Sequence, residues 1–478
     1  MSGGYSDQLI DFVINTRYED IPEHIIEYTK LVYLDSIICA IAAGGQERSQ
    51  MLAKVYTGMG GNPESTIFGC DIKVPAAHAA AANAEAMNLL DADDTFFSSA
   101  HFAAFTASAC LAESERTPCS GRDLIKAMAV GFDINARIFL SQVTFGKTED
   151  GRFQFSPVQG MGFSAFGTAV SAGLIRNMDW ESMRRMLGVA GWLAPTPTCN
   201  PQADKVTHNS FKYANYAGVA QAGMMAVQYT EAGYSGQDDI LDSGAFMRAQ
   251  GCLDMDLELL IDELGSKWWI EDSCIKYYPS CRYTSAPIDM LLSLMKEKNL
   301  DPEDIESIDI EMTAMAYAMN MFNNPAREIT ADHRAPLNGS FNIPFAMASA
   351  ALGLEPAGPA WYSEAQLKNQ KVWDFAAKVT TSQNEGSYAE IEKALQTKIR
   401  RFKKNPSAMK VKAKGEAYQL NAEYANGDPW TEETMPNWDT MHSKFVNFCG
   451  GILSSKELDH ITDSVKNLDS QDQVSALL

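Results

Sequence analysis

Segments rich in alanine and glycine, with apolar residues at helical spacing, fill the chain up to about residue 265 and constrain its fold most strongly. Residues 23–45 ("EHIIEYTKLVYLDSIICAIAAGG") follow this spacing and end in a Gly pair, a normal stop for a helix. Residues 76–90 ("AAHAAAANAEAMNLL") are rich in alanine, the strongest helix former, and this helix should end just before Asp91. Because small side chains permit close helix packing, we predict a large all-helical domain over residues 1–267.

The hydrophobic pattern changes in the second half of the chain. Residues 307–313 ("SIDIEMT") alternate apolar and charged side chains, which predicts a strand. Residues 408–424 ("AMKVKAKGEAYQLNAEY") give two alternating runs about a Lys-Gly-Glu turn, which predicts a β-hairpin. The expected fold class is therefore mainly α, with a smaller α+β domain over residues 268–435. The tail, residues 436–478, has a helical pattern again and is expected to pack back on the first domain.

Charge and cysteine usage limit the classes of partner. With 39 Lys and Arg against 61 Asp and Glu, the net charge of -22 disfavours nucleic acid and anionic membranes as partners. An anionic substrate would need its own cationic pocket within this field. The nine cysteines are scattered without a CxxC pair, which favours reduced thiols over a disulfide framework or a zinc site. No export or transit signal and no apolar run of membrane-spanning length is visible, so we expect a cytoplasmic protein.

An acidic cluster lies in unusually apolar surroundings. Residues 88–105 ("NLLDADDTFFSSAHFAAF") place Asp91, Asp93, Asp94 and His101 among leucine, phenylalanine and alanine. At the negative end of the alanine-rich helix, with like charges close by, a carboxyl group should have a raised pKa. Such a group, complemented by His101, would suit general acid–base catalysis. In the structural alternative, the aspartates cap the next helix and His101 is a hydrogen-bonded core residue; the pattern alone leaves both open.

Two other interpretations of the acidic cluster have less support. Carboxylates can bind Mg²⁺, but the sequence contains no second acidic cluster of similar character that would complete such a site. The letters "DADD" also fit the acid motif of protonation-initiated terpene cyclases. A four-residue match is weak, and the chain lacks the repeated aromatic-rich segments that line the cavities of those enzymes.

Candidate cations for an anionic substrate occur in two later segments. Lys212 comes just before a helix of small residues, whereas Lys276 and Arg282 lie between tyrosines near the predicted domain junction. A lysine that enters a helix N-terminus is well placed to hold a carboxylate, although a solvated surface lysine is the commoner outcome. No Gly-rich phosphate loop occurs in a strand-and-helix context, so a nucleotide cofactor is not expected. The run "GFSAFG" is too weak a match for the nucleophile turn of a hydrolase.

Several segments spread along nearly the whole chain match the motifs of one protein family. They are residues 33–44 ("YLDSIICAIAAG"), 90–101 ("LDADDTFFSSAH"), 211–223 ("FKYANYAGVAQAG"), 275–289 ("IKYYPSCRYTSAPID"), 423–429 ("EYANGDP") and 443–448 ("SKFVNF"). Together they resemble the MmgE/PrpD family, which comprises 2-methylcitrate dehydratase, cis-aconitate decarboxylase and iminodisuccinate epimerase.

The resemblance implies an architecture and a set of site residues. It implies a helical domain with a smaller α+β lid, usually in a homodimer, and a site between the two domains without metal or organic cofactor. The family's catalytic residues fall on Asp91, Thr95, His101, Lys212 and Lys276. We expect further substrate contacts from Asp93, Asp94, Gln159, Asn215, Arg282, Tyr283 and Ser285.

This chain departs from the family pattern at four positions. Asn215 and Ser285 stand where many members have histidine, and Gln159 lies near the position of another family histidine. Phe345 occupies the place of a site tyrosine and cannot donate a hydrogen bond. The loss of proton donors at these positions predicts a divergent member with its own substrate.

The expected activity is that of a cofactor-independent lyase that acts on a small di- or tricarboxylate. Dehydration by proton abstraction next to a carboxylate is the first expectation, and decarboxylation or epimerisation are alternatives within the same family. In the mechanism we predict, Lys212 and Lys276 hold substrate carboxylates while Asp91 or His101 moves the proton and Thr95 orients its partner. The alternative of another class is a helical binding or scaffolding relative without catalysis.

Overall fold

The structure, a computed structural model, describes residues 3–70, 72–97, 99–158, 160–197, 210–320, 329, 331–354 and 357–474. Helices dominate its first half, as the sequence predicts. They are α1 (Tyr5–Asn15), α2 (Glu23–Gly44), α3 (Glu47–Met59), α4 (Ala76–Leu89), α5 (Ala103–Arg116), α6 (Gly121–Ser141), α7 (Ala165–Ile175), α8 (Trp180–Leu193), α9 (Tyr216–Glu231) and α10 (Ala245–Ala249).

The alanine-rich helix α4 occupies the centre of this helical part. Every residue of α4 from Ala79 to Leu89 is buried, and the helix packs against α2, α5 and α9. Because most of its side chains are single methyl groups, neighbouring helices can approach it from several directions. The end of α4 is therefore fixed in the interior, and the residues that follow it are also buried.

Short strand pairs connect the helices. They are β1 (Ser65–Ile67) with β2 (Ile72–Val74), β3 (Thr95–Phe96) with β8 (Ser273–Cys274), β4 (Gln142–Val143) with β7 (Asp254–Met255), and β5 (Phe145–Lys147) with β6 (Phe153–Phe155), all antiparallel. The β3–β8 pair joins the acidic segment to the segment that carries Lys276. It is the pair that matters for the site.

The second half combines helices with a four-stranded sheet. Its elements are α11 (Arg282–Lys298), β9 (Ile305–Met312), α12 (Ala314–Met319), α13 (Ala335–Gly339), α14 (Ile343–Ala351), α15 (Glu364–Leu367), α16 (Gln370–Ala376), β10 (Val379–Gln383), α17 (Ala389–Leu395), β11 (Ser407–Ala413) and β12 (Glu416–Ala422). The strand order is β10-β9-β11-β12, with β9 and β10 parallel and the other neighbours antiparallel. The predicted strand and hairpin are confirmed, and Lys414 and Gly415 make the turn with φ of 51° and 76°, as a two-residue hairpin of this kind requires.

The tail returns to the helical part. Helices α18 (Trp438–Cys449) and α19 (Ser455–Lys466) pack against α2, and the Lys30 Nζ lies 2.9 Å from Asp469 Oδ1 just beyond α19. The domain boundaries near residues 267 and 435, and the action of the α+β part as a lid, stay predictions. Among the described residues, no helix has both the length and the apolar character needed to cross a membrane.

Candidate active site

The acidic segment begins where α4 ends, as predicted. Leu89 is the last residue of α4, and Asp91 follows with a left-handed backbone at φ 55°, donating its N–H to the Asn88 carbonyl oxygen at 3.0 Å. Glycine is the usual residue in this position because a Cβ is disfavoured there. An aspartate in this strained conformation is typical of a functional site, where the side chain is needed despite the cost to the backbone.

Two lysines that are distant in sequence converge on this turn. The Lys212 Nζ lies 2.5 Å from Asp91 Oδ1 and donates to the Asn88 carbonyl oxygen at 3.2 Å. The Lys276 Nζ lies 3.6 Å from Asp91 Oδ1 and 3.8 Å from Asp93 Oδ1. Pairing of Thr95 in β3 with Cys274 in β8 places Lys276 there, two residues further along the chain.

The three ionic partners Asp91, Lys212 and Lys276 are almost completely buried, with exposed fractions of 1%, 4% and 1%. Burial raises the pKa of Asp91, but the positive charges of Lys212 and Lys276 outweigh it and hold this pKa below its usual value. Burial lowers the pKa of Lys212, whereas for Lys276 the carboxylates of Asp91 and Asp93 outweigh burial and raise the pKa. Asp91 is thus an anion held between two cations. The raised pKa that the sequence predicts for a carboxyl group of this segment is not found at Asp91.

The carboxyl group with the raised pKa is Asp94. Burial, with the nearby charge of Asp93 as the next cause, raises its pKa to about 7. The side chain accepts hydrogen bonds from the Ser273 hydroxyl at 2.8 Å and from the Ala103 backbone N–H at 3.1 Å. The latter contact satisfies a donor in the first turn of α5, so the helix-capping alternative is correct for this aspartate.

The pKa of Asp94 predicts how an Asp94→Asn variant should behave. A raised native pKa means that the stability contributed by the neutral acid is fully present below the unfolded pKa and is lost as pH rises towards 7. The neutral amide of asparagine avoids this loss. From pH 5 to pH 8, the free energy of unfolding of the variant should therefore rise by about 2–3 kcal/mol relative to that of wild type, because one pKa unit corresponds to 1.36 kcal/mol. Urea unfolding of both proteins at the two pH values measures the difference, and a constant difference would contradict the buried-acid assignment.

His101 lies beside both acids. Its Nδ1 lies 2.5 Å from the Asp94 carbonyl oxygen and 3.5 Å from Asp93 Oδ2, and its ring stacks on Tyr213 at 5.5 Å between centroids. Burial lowers the pKa of His101 to about 4, so the imidazole is neutral at pH 7. Because a carbonyl oxygen can only accept, we assign the proton to Nδ1, which leaves the Nε2 lone pair available as a base.

Four buried polar atoms of the predicted site residues have no hydrogen-bond partner among the described residues. They are Asp91 Oδ2, Thr95 Oγ1, Lys276 Nζ and Ser285 Oγ. Buried polar groups are nearly always hydrogen-bonded, and exceptions call for an explanation. These atoms are candidate contacts for a polar ligand.

Comparison with known protein families gives two matches that together span most of the chain. The MmgE/PrpD N-terminal domain matches residues 7–254, and the MmgE/PrpD C-terminal domain matches residues 278–470. The chain belongs to the MmgE/PrpD family. The first match alone covers more than half of the sequence, so the resemblance of the separate motifs is confirmed.

Curated relatives of this MmgE/PrpD protein include enzymes named cis-aconitate decarboxylase. The one from Aspergillus terreus is 22% identical, and the alignment covers 99% of this chain and 95% of the relative. The one from Mus musculus is 26% identical over 69% of this chain and 68% of its own length. The one from Homo sapiens is 24% identical over 65% of this chain and 64% of its own length.

Some substrate contacts expected from the MmgE/PrpD resemblance have other partners in the structure. Asn215 is exposed and caps α9 by accepting the Gly218 backbone N–H at 2.9 Å. The Arg282 Nη2 binds Asp428 Oδ2 at 2.8 Å. Tyr283 is buried, and Gln159 lies outside the described residues.

The ring of Phe345, where the family pattern has tyrosine, packs between two aromatic side chains. Its centroid lies 5.9 Å from that of Tyr362 and 5.7 Å from that of Trp373. Tyr362 is buried and donates its hydroxyl to the Pro279 carbonyl oxygen. Phe345 therefore contributes to packing and offers no polar group.

Two further residues of the candidate site were missed by sequence reasoning. The Asn88 Nδ2 donates to Asp93 Oδ2 at 3.0 Å and to the Tyr213 hydroxyl at 2.9 Å. Asn88 thus connects the acidic turn to the ring that stacks on His101. The available signal was local, because Asn88 opens the acidic segment and Tyr213 follows Lys212 directly.

Asp93, Asp94 and His101 also offer atoms that could hold a cation, since one ligand atom from each lies within 4.8 Å of the others. The donor set is consistent with a divalent metal, but Lys276 already places a positive charge 3.8 Å from Asp93, and the Asp94 carboxyl group is neutral below about pH 7. A second cation between these groups would be repelled by the ammonium. The residues present fit an organic anion better than a metal ion.

Proposed function

We propose that this chain is a lyase that acts on a small di- or tricarboxylate through a carbanion-like centre beside a carboxylate. The observation that carries the proposal is the convergence of Lys212 and Lys276 on a buried acidic turn, with the neutral base His101 next to it. In a molecule with a net charge of -22, the ammonium groups of Lys212 and Lys276 supply positive charge for an anionic substrate, and the carboxylates of Asp91 and Asp93 balance them in the free protein.

Lys276 is the proposed primary contact for a substrate carboxylate. Its ammonium group is buried and has no hydrogen-bond partner among the described residues, so its donors can be satisfied by a carboxylate oxygen. Lys212 is held by Asp91 and reinforces the positive charge from the other side. Fixed cations in a water-poor site can stabilise charge that develops in a transition state by about 2.7–4 kcal/mol for a single group.

His101 is the proposed proton carrier. A neutral imidazole with a free Nε2 can take a proton from the carbon next to a carboxylate, and the charge left behind is stabilised by Lys276. Asp94, with a pKa of about 7, has the acidity that a donor to a leaving hydroxyl requires. This chemistry supports dehydration as the first candidate reaction.

Decarboxylation is the second candidate, and the names of the curated relatives favour it. Those relatives are cis-aconitate decarboxylases at 22–26% identity. Loss of CO₂ would leave the same kind of charge beside a remaining carboxylate, so Lys212 and Lys276 would serve it equally well. The carbon that loses CO₂ would then take up a proton, for which the neutral Asp94 carboxyl group is the proposed donor because His101 holds no proton on Nε2.

A candidate approach route lies next to the cluster. A cavity of about 230 Å³ is lined by Arg48, Leu89, His333, Pro336 and Tyr362, among others. Leu89 directly follows Asn88, which contacts Lys212, and Tyr362 packs on Phe345. Substrate entry here, a homodimeric assembly and a cytoplasmic location remain proposals.

A mass-spectrometric screen tests the function directly. The purified protein is incubated with cis-aconitate, citrate and 2-methylcitrate, and a loss of 18 or 44 mass units distinguishes dehydration from decarboxylation. We expect turnover of at least one polyacid, with Lys276→Met as the inactive control. If no product forms and no polyacid raises the melting temperature, the result favours the non-catalytic binding alternative. A polyacid at 100 times its Kd should add about 2.7 kcal/mol of stability.

A further inference from the structure

A second buried ion pair lies directly behind the acidic turn. The Lys444 Nζ on α18 contacts Asp35 on α2 and donates to the Ala92 carbonyl oxygen at 2.8 Å. Both charged side chains are fully buried, with exposed fractions of 2% and 0%. Ala92 lies between Asp91 and Asp93, so an ammonium from the tail of the chain binds the backbone of the turn that carries the site.

We propose that Lys444, anchored by Asp35, is a positioning residue that holds the Asp91–Asp94 turn in its working geometry. The inference rests on the proposed function for its catalytic consequence, whereas the anchoring of the turn stands on the contacts alone. Among the described residues, Lys444 contacts the turn through the Ala92 carbonyl oxygen and otherwise contacts Asp35, Cys39 and Phe448 behind it, so we expect it to act through the turn and not on the substrate.

The position of the turn needs such an anchor. Asp91 is held in a left-handed conformation at φ 55°, which is costly for a residue with a Cβ, and such strain persists only where the surroundings enforce it. The Ala92 carbonyl is buried, and a hydrogen bond from a charged donor is about twice as strong as one between neutral groups. Lys444 can therefore fix the direction in which the Asp91 and Asp93 carboxylates leave the backbone.

The charges around Asp35 and Lys444 also favour a fixed ion pair at this position. Burial raises the pKa of Asp35 to about 6, while Lys444 opposes this effect. The titratable groups that interact with Asp35 are Lys444, Lys276, Cys39, Asp93, Asp94, Tyr28 and Tyr277. Asp35 Oδ2 has no hydrogen-bond partner among the described residues, so Lys444 is the hydrogen-bonding partner that retains this carboxylate in the interior.

Three variants separate positioning from simple stabilisation. Lys444→Met removes the donor but leaves Asp35 buried without its cation. The double variant Asp35→Leu/Lys444→Met removes both charges and replaces them with apolar side chains, a change that is often neutral for stability. Lys30→Met is the matched control, because Lys30 is a buried lysine on α2 that binds Asp469 in the tail at 2.9 Å and has no contact with the turn among the described residues.

Hydrogen exchange of the full-length protein, read by mass spectrometry over residues 88–97, is measured together with kcat, KM and melting temperature. We expect the hydrogen-exchange rate in this segment to rise about tenfold or more in the double variant, because the segment loses a hydrogen bond from a charged donor. We expect kcat to fall by about 100-fold, the cost of a misplaced catalytic group, with KM changed little because Lys212 and Lys276 remain. Lys30→Met should leave both quantities near wild type.

The outcomes distinguish this inference from the proposed function. If wild type turns over none of the polyacids and exchange over residues 88–97 still rises only in the Lys444 variants, the anchor stands and the lyase assignment fails. If the double variant regains wild-type melting temperature, exchange and kcat, the pair is only a stabilising element and the positioning role is wrong. Faster exchange throughout the chain in all three variants would also overturn it.

Discussion

Replacing Lys276 by methionine is expected to lower kcat/KM for the polyacid substrate by about 10²–10³-fold, the loss seen when one preorganised donor is removed from a transition state. The Lys276 ammonium is buried and lies 3.6 Å from Asp91 and 3.8 Å from Asp93, and its donors have no hydrogen-bond acceptor among the described residues. Methionine keeps an unbranched side chain as far as the Cε position and removes the ammonium group. Both kcat and kcat/KM should fall, because the charge that Lys276 stabilises develops as the substrate reacts.

Lys267→Met is the matched control for this variant. Lys267 lies on the same stretch of chain and contacts Asp272 Oδ2 at 2.9 Å, but it has no contact with the acidic turn among the described residues. It should keep wild-type kcat/KM. Wild-type kinetics in Lys276→Met, with the fold verified by its melting temperature, would remove Lys276 from the mechanism.

Replacing His101 by asparagine is expected to lower kcat by about 10²–10⁴-fold, the usual contribution of a general acid or base. The asparagine amide can take the place of the Nδ1–H that donates to the Asp94 carbonyl oxygen, so the local hydrogen bond is kept. The Nε2 lone pair is lost. The variant therefore separates the chemical role of the His101 Nε2 from the hydrogen bond that His101 makes to the Asp94 carbonyl oxygen.

His101→Gln provides the complementary comparison. Glutamine reaches further and can place an amide near the former Nε2, but an amide is not a base at neutral pH. We expect it to be as inactive as the asparagine variant, and full turnover in either one would eliminate proton transfer by His101. Steady-state kinetics from pH 5 to pH 9 would measure both variants against wild type.

The backbone frame of the site could be predicted from local pattern. The end of α4 before Asp91 follows from the alanine-rich run, and the β9 strand and β11–β12 hairpin follow from alternation and the Lys-Gly-Glu turn. These features depend on residues close in sequence, where spacing carries the information. The convergence of Lys212 and Lys276 on the turn was expected from the family motifs, since no local pattern brings side chains together across such distances.

The electrostatics of the site required the structure. Three aspartates within four positions look alike in sequence, yet Asp91 lies between two ammonium groups and Asp94 accepts hydrogen bonds from Ser273 and α5. Their pKa values therefore move in opposite directions. The contact between Lys444 and Asp35 joins residues 409 positions apart, and nothing in either segment indicates the other as its partner.

The central claim is that two ammonium groups form a binding site for carboxylates within a strongly negative molecule. Isothermal titration with propane-1,2,3-tricarboxylate, a saturated and unreactive tricarboxylate, tests this claim without relying on turnover. We predict that wild type and Lys267→Met bind the ligand with the same Kd and that Lys276→Met binds it at least about tenfold more weakly, the equivalent of 1.4 kcal/mol. Equal Kd values for wild type and Lys276→Met would contradict the account.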